Sequence, residues 1–514
     1  MEHYEEILRA IVEGDIVTND ELQKAKLRLC KKYGLGELPS NSEILDAVDS
    51  TSGVSREDVV KVLRRKPSRS SSGVTVVAVM TSPAECPHGR CIMCPGGPSS
   101  DTPSPQSYTG KEPAALRGER HDHDPRAQVE NRLQQYHSIG HPTDKVDMIV
   151  MGGTFPARTW EYQREFVKGC FDGLNGNISK TLEEAQKKNE TAKNRCIGLT
   201  VETRPDICGR EELEYMLELG VTRIELGVQT VYDHLLDGIE RGHSVADTVK
   251  ATQLAKDYGL KVCYHMMPGL PDSTPEDDIK AFETLFEDPR FKPDMIKIYP
   301  TLVIKGTRLF DIWKKGNYKP LSTEEAAEIV AKMKAIVPPY VRIQRVQRDI
   351  PSPLVEGGVK HSNLRQYSKR VLEELEGKCR CIRCRESGRI GNDIEIDEIE
   401  LKIMEYDAQN GREHFLEFSA SDILAAYARL RIAPAHPPTI RELKVVGEMT
   451  PIDQNGSSLQ HTGYGKGLVA ECERLASKSG SDIIRVTSGI GAREYYRNLG
   501  YHLRENYMVK SLQP

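Results

Sequence analysis

The chain has 514 residues, 38% hydrophobic and 29% charged, with a formal net charge of −5, a balance that suits two to four soluble globular domains. No apolar run approaches the roughly 18–20 residues of a membrane span, and the opening MEHYEEILRAIVEGD is too acidic for a secretory leader, so a cytoplasmic location is expected. The twelve cysteines are then expected as metal ligands or buried thiols rather than disulfides. Six of them fall in two tight clusters, at 86–94 and 379–384.

Residues 1–73 read as a separate helical unit. YEEILRAIVEG and NDELQKAKLRLCKKYG space apolar residues at helical intervals, and VVKVLRRKPSRSSSG ends the unit as a basic helix running into a Ser-rich linker. Residues 56–75 carry six Lys/Arg against two acids. Lys61, Arg64, Arg65, Lys66 and Arg69 are candidate contacts to an RNA backbone, with a plain linker as the alternative.

From 74 the pattern turns to alternating strands and helices. Apolar, β-branched runs at 74–80, 145–153, 195–205, 221–230, 260–271 and 294–303 alternate with helical segments such as RAQVENRLQQYHSI, REELEYMLELG and VADTVKATQLAKDYG. Repeated βα units predict a parallel sheet or partial barrel over 74–355, with its chemistry at the strands' C-terminal ends.

The first strand delivers SPAECPHGRCIMCPGGP (82–98), which sets Cys86, Cys91 and Cys94 in a C-x4-C-x2-C spacing. Three thiolates are one short of a closed structural zinc site and suit a cubane iron–sulfur cluster with one iron left open. A zinc site borrowing His88 or a more distant ligand is the alternative. The loop resembles that of the radical S-adenosylmethionine (SAM) enzymes, whose open iron chelates the methionyl amine and carboxylate. That resemblance implies roles in SAM binding for the turn Gly152-Gly153-Thr154, and for Glu202 and Gln229, which end the next two strands as polar groups in a largely apolar cavity. His265 in YHMMPGLP fits a structural hydrogen bond as well as a functional role.

Taken together, RRKPSRSSSGVTVVAVM, CPHGRCIMCPGGP, QSYTGKEP, DKVDMIVMGGTF, VETRPD, RIELGVQT, HMMPGLP, KIYPTLVIKGT and RVQRDIP resemble the Elp3 family, the catalytic subunit of Elongator, across nearly the whole chain. The cysteine loop is shorter than in the eukaryotic subunit, which points to an archaeal or bacterial stand-alone form.

A second cluster, KCRCIRCRESG, places Cys379, Cys381 and Cys384 in a segment (340–390) with twelve Lys/Arg against six acids. This reads as a structural zinc site in a linker over 356–390, with His361 as the expected fourth ligand. Free thiols are the alternative. Such a clip would dock the two larger domains and position Arg380, Arg383, Arg385 and Arg389.

Residues 391–514 open with seven acids and one Lys over 391–407 and continue as a second α/β unit with strands at 414–419, 423–433 and 439–449. Gln460-His461-Thr462-Gly463-Tyr464-Gly465-Lys466-Gly467 then opens the helix LVAECERLASKSG. A Gly-rich turn ahead of a helix aims unpaired N–H groups at a diphosphate. With IIRVTSG and AREYYRNLGY behind it, the segment resembles the GCN5-related N-acetyltransferases, whose ligand is acetyl-CoA. The resemblance sets Gln460, His461, Gly463, Tyr464, Gly465, Lys466, Gly467 and Tyr496 against that ligand. It also makes Tyr495 or Tyr496 the proton donor to the leaving thiolate.

The whole resemblance implies carboxymethylation at C5 of the wobble uridine (U34) of tRNA. SAM cleavage would give a 5′-deoxyadenosyl radical that activates the acetyl methyl group, and thioester hydrolysis would follow addition to the base. The implied cofactors are a [4Fe-4S] cluster, SAM, acetyl-CoA and zinc. The implied partners are a tRNA anticodon stem-loop, an electron donor and a second copy of the chain in a homodimer. A protein lysine acetyltransferase with a structural iron–sulfur domain is the rival reading, and an RNA-binding scaffold is a second. Lys111, Lys297 and Lys305 are left outside the catalytic set.

Overall fold

The computed structural model describes residues 4–64, 72–100, 102–390, 398–447 and 463–512. Arg65, Lys66, Arg69, Gln460 and His461 therefore lie outside the described residues.

Four helices, Glu5–Val12, Asn19–Tyr33, Asn41–Asp46 and Arg56–Leu63, close on a small core of their own that includes Leu8, Leu22, Leu45 and Val59. Three of them start where a side chain caps the first turn: Thr18, Ser40 and Ser55 each accept from the third residue of the helix, and Glu21, Glu43 and Asp58 reach back. The unit docks through Arg56, which donates to the His137 carbonyl at 2.6 Å, and Arg64, which donates to that of Gly140 at 3.2 Å. Arg64 thus serves docking, whereas Lys61 is exposed.

The central sheet takes β1 (Thr75–Met80), β2 (Lys145–Met151), β3 (Arg195–Thr203), β4 (Arg223–Gln229), β5 (Lys261–Met266) and β6 (Met295–Ile298). Past the two-residue β7 (Val303–Ile304) it adds β8 (Arg342–Arg345). The seven strands pair in parallel in the order β1-β2-β3-β4-β5-β6-β8, so each crossover helix falls between neighbours and the sheet curls into a half barrel. The run expected as one strand over 294–303 stops at Ile298. Its continuation, β7, pairs instead with β9 (Val355–Gly357). β8 in VRIQRVQRDIP is short, and its polar outer half hid it from a reading based on apolar runs.

The second sheet comprises β10 (Glu400–Ala408), β11 (Gly411–Ala420), β12 (Ile423–Ala433), β13 (His436–Val445), β14 (Ile483–Val486), β15 (His502–Arg504) and β16 (Tyr507–Ser511), in the order β10-β11-β12-β13-β14-β16-β15. β13 and β14 are parallel but pair at only two positions, Thr439 with Arg485 and Ile440 with Val486, and then splay apart. Helix Tyr464–Lys478 packs across this sheet through Leu468, Val469, Cys472 and Ala476.

The second sheet caps the N-terminal end of the half barrel. Arg441 on β13 donates to both carboxylate oxygens of Asp294, at 2.6 and 2.8 Å, and to the Leu260 carbonyl at 2.9 Å, just ahead of β6 and β5. Glu413 bridges Arg441 and Arg431, and all four charged side chains are buried. Buried charges on this scale persist only when each is paired and hydrogen-bonded, so the network fixes how the two sheets meet.

Candidate active site

Strand β1 ends at Met80, and the loop beyond it carries the first cysteine set at the C-terminal end of the half barrel. Each cysteine there meets its own polar neighbour. Cys86 Sγ lies 3.6 Å from Thr154 Oγ1, Cys91 Sγ 3.2 Å from His88 Nε2 and 3.8 Å from Arg241, and Cys94 Sγ accepts from the Ser107 N–H at 3.1 Å. The three sulfurs do not all fall within 4.8 Å of one another. Two Zn–S bonds of about 2.3 Å cannot span more than about 4.6 Å, so this spread suits thiolates that each take a separate iron. His88 is no spare ligand either. Its Nδ1 accepts from Arg204 at 2.5 Å, which leaves Nε2–H to donate to the Cys91 sulfur. Burial, and after it Arg204 and Arg241, push this imidazole down to about 4.

Across the loop, the Gly152–Gly153 turn adopts φ of +150° and +83°. A Cβ on Gly152 would stand 1.9 Å from Thr81 Oγ1, so only glycine fits. The Glu202 carboxylate accepts from the Gly152 N–H at 3.3 Å and from Tyr108 Oη at 2.6 Å. Gln229 ends β4 at φ +71°, a conformation a side-chain-bearing residue rarely adopts. Its Oε1 is buried with no partner.

These groups border one cavity of about 920 Å³ that runs down the lumen of the half barrel. Alternate residues of the strands face it: Arg223, Glu225, Gly227 and Gln229 from β4, and Lys261 and His265 from β5. The lining holds 14 Arg and Lys against six Asp and Glu. Its surface is more apolar than polar, as expected, but the charge it carries is basic and suits anionic ligands. Lys297, which the sequence reading left aside, lies within it, whereas Lys111 and Lys305 are exposed and outside the lining.

The far end of the same cavity belongs to the second sheet. Leu443 and Lys444 of β13 and Thr487 and Ser488 beyond β14 flank the splay, beside Tyr495 and Tyr496. Helix Tyr464–Lys478 starts at Gly463 (φ +96°) with no side-chain cap, and a helix start of this kind favours an anion. Lys466 and Gly467 are exposed there, and the Tyr464 ring lies 5.0 Å from that of Phe418. The two tyrosines differ. Tyr496 is buried in the second core, edge-on to Tyr495. Among the described residues Tyr495 Oη has no partner, and it stands 2.8 Å from where a Cβ on Gly465 would be, against the helix start. Burial pushes its phenol up to about 12.

The second cysteine set lies between the sheets. The sulfurs of Cys379, Cys381 and Cys384 fall within 4.8 Å of one another, the separation one tetrahedral ion requires. His361 stands outside that group: its exposed ring packs against Tyr367 at 5.9 Å, so it does not supply the fourth ligand expected of it. Arg385 is not free for RNA, because it is clamped to both oxygens of Glu417 on β11 at 2.9 and 2.7 Å. Arg383 and Arg389 line the cavity, and Arg380 is exposed.

Known proteins share this arrangement. Residues 82–285 match the Radical SAM superfamily, 293–376 the Radical_SAM C-terminal domain and 1–71 the ELP3 N-terminal domain. The chain is 48% identical over 530 residues to the tRNA uridine(34) acetyltransferase of Methanocaldococcus jannaschii, covering 99% of this chain and 97% of that one. It is 42% identical over 530 residues to Elongator complex protein 3 of Homo sapiens, covering 99% and 96%. The chain belongs to the Elp3 family.

The structure of archaeal Methanocaldococcus infernus Elp3 with an N-terminus deletion (1-46) agrees, with a TM-score of 0.76 at 46% identity over 86% of this chain and 99% of that one. Membership of the Elp3 family makes the chain a radical SAM enzyme, which implies a [4Fe-4S] cluster and SAM. The residues present fit both groups: three separated thiols each with a polar neighbour, a glycine cradle, and an orphaned buried amide oxygen on Gln229. Among the described residues no helix is long and apolar enough to cross a membrane.

Sequence reasoning missed Tyr108, Arg204, Arg241 and Glu225. The signal was there in β4, where Arg223, Glu225, Gly227 and Gln229 alternate with Ile224, Leu226 and Val228, a period of two that marks one non-apolar face.

Proposed function

We propose that this chain carboxymethylates C5 of the wobble uridine, U34, of tRNA, using SAM and acetyl-CoA. The observation that carries this reading is one basic cavity bordered both by the cysteine loop and by the splay between β13 and β14, with Tyr495 and Tyr496 beside it. Two chemistries that open onto one chamber suit one reaction. The names of relatives that act on tRNA uridine(34) support the substrate.

In this reading Cys86, Cys91 and Cys94 hold the cluster. When bound, the cluster supplies the electron that cleaves SAM to the radical that activates the acetyl methyl group. The Gly152–Gly153–Thr154 turn, Glu202 and Gln229 orient SAM. The Gly463–Gly467 helix start receives the coenzyme A diphosphate, with Gln460 and His461 from the segment just before it. Of the two tyrosines, Tyr495 is the proton donor to the leaving thiolate, because its hydroxyl is unpartnered and remains protonated. Cys379, Cys381 and Cys384 hold zinc that braces the linker. Lys61, with Arg65, Lys66 and Arg69, contacts the tRNA backbone, and the unpaired anticodon base enters the cavity as single-stranded bases do. An electron donor of the reducing cytoplasm would supply the electron that first reduces the cluster.

The test uses anaerobically reconstituted protein with a reductant, SAM, acetyl-CoA labelled in the methyl group, and total tRNA. Labelled 5-carboxymethyluridine together with 5′-deoxyadenosine, both lost in Cys91→Ala, is the expected result. Label on protein lysines alone, with no 5′-deoxyadenosine, would replace this reading with the lysine acetyltransferase one.

A further inference from the structure

The lumen holds one ionisable cluster that the reading above does not use. β4, β5 and β6 lie side by side, with Glu225 in register with Cys263 and His265 with Lys297. Glu225 is fully buried, and its Oε2 accepts from His265 Nε2 at 2.8 Å and from the Lys297 ammonium. Burial alone would raise the Glu225 carboxyl, but Lys297 and the His265 hydrogen bond hold it well below the usual carboxylate range. The carboxylates and nitrogens here do not make a metal site. Glu225, Cys263 and His265 come close enough for one, yet the ammonium already occupies the carboxylate, and burial keeps the Cys263 thiol protonated.

The cluster orients the imidazole. In the neutral ring, donation of Nε2–H to the carboxylate selects the tautomer with its lone pair on Nδ1, as in the carboxylate–imidazole pair of hydrolase triads. The Tyr299 ring meets the imidazole edge-on at 5.3 Å and fixes its plane. Among the described residues the ring's hydrogen bond is made through Nε2, and His265 lines the cavity one residue before the end of β5.

Resting on the proposed reaction, a base is needed at this end of the cavity. Addition of a carbon radical to C5 of a uracil ring leaves the unpaired electron at C6 and the original hydrogen on C5. To restore the double bond, the C5–H bond must break and the hydrogen leave as a proton. Of the three electrons that remain, two form the π bond and the third passes to a one-electron acceptor, the oxidised iron–sulfur cluster left by SAM cleavage. We propose that His265 Nδ1 takes the C5 proton of the target pyrimidine, with Glu225 and Lys297 as positioning residues that hold its tautomer.

The test compares wild type, His265→Gln and Glu225→Gln holoenzymes on tRNA deuterated at uridine C5. Expected is 5′-deoxyadenosine from all three, carboxymethyluridine lowered about 100-fold or more in His265→Gln, and an adduct that keeps the C5 deuterium and is ring-saturated once the assay's reductant supplies an electron, and water a proton, to C6. Wild-type product formation by both variants overturns the assignment, and so does loss of 5′-deoxyadenosine, which would put His265 at SAM cleavage. A wild-type enzyme that labels no nucleoside sinks the underlying reaction as well, and is told apart by that control. A second readout needs no cofactor: in the full chain labelled with 15N-histidine, His265 is expected to carry its proton on Nε2, a preference lost in Glu225→Gln. A proton found on Nδ1 overturns the proposal.

Discussion

The two cysteine triplets share residue type, number and a C-x2-C half, yet the fold uses them in opposite ways. Cys86, Cys91 and Cys94 are spread on a loop, and each meets a different neighbour: Thr154, His88 with Arg241, and the Ser107 amide. Cys379, Cys381 and Cys384 are drawn within 4.8 Å of one another around the short helix Ile382–Arg385. One triplet can serve three irons and the other a single ion. The lesson is that ligand spacing along the chain bounds the metal chemistry, while sulfur separation in space decides it.

The largest effect should come from removing one thiol of each triplet. Cys91→Ala is expected to lose the cluster's iron and all labelled nucleoside while zinc content stays at the wild-type level. Cys381→Ser should do the reverse, losing zinc with the iron kept, and should lower the thermal midpoint, because binding at a structural zinc site is folding free energy. Metal analysis of the two proteins checks both, and iron loss in Cys381→Ser would break the distinction between the triplets.

Next in size is the Arg385–Glu417 joint beside the second triplet. Glu417→Gln strips the buried Arg385 of its bidentate partner. A loss of about 3–5 kcal/mol in urea unfolding is expected, with both metals unchanged. Zinc loss in this variant would mean that the triplet depends on the joint rather than only sitting beside it.

The cavity's far end gives an effect on rate without any on metals. Tyr495→Phe is expected to slow thioester hydrolysis by about 100-fold, whereas Tyr496→Phe should leave that step near the wild-type rate. The smallest effect is one of pH. Burial raises the Tyr495 phenol from 10.0 to about 12, so the neutral donor form persists and the hydrolysis step should show no alkaline fall below about pH 10. The sign for stability is the same: this group's contribution is intact below pH 10 and is lost as pH rises from there towards 12. A fall in hydrolysis near pH 8 that disappears in Tyr495→Phe would contradict the assignment.

Much of this was legible in the chain itself because it is local. The helical spacing in residues 1–73, the βα alternation, the two cysteine spacings and the glycine turn at 152–153 each depend on residues a few positions apart, whose geometry the backbone restricts directly. What the sequence could not decide is what strand register and domain docking bring together. Glu225, His265 and Lys297 meet only because β4, β5 and β6 pair in one register. Reading each strand as uniformly apolar concealed their shared polar face. His361 was near enough in sequence to be a ligand, but the chain's path turns it out to Tyr367. The joining of the two chemistries in one lumen follows from Arg441, Asp294 and Glu413, residues up to 147 positions apart whose buried charges are stable only when they find one another.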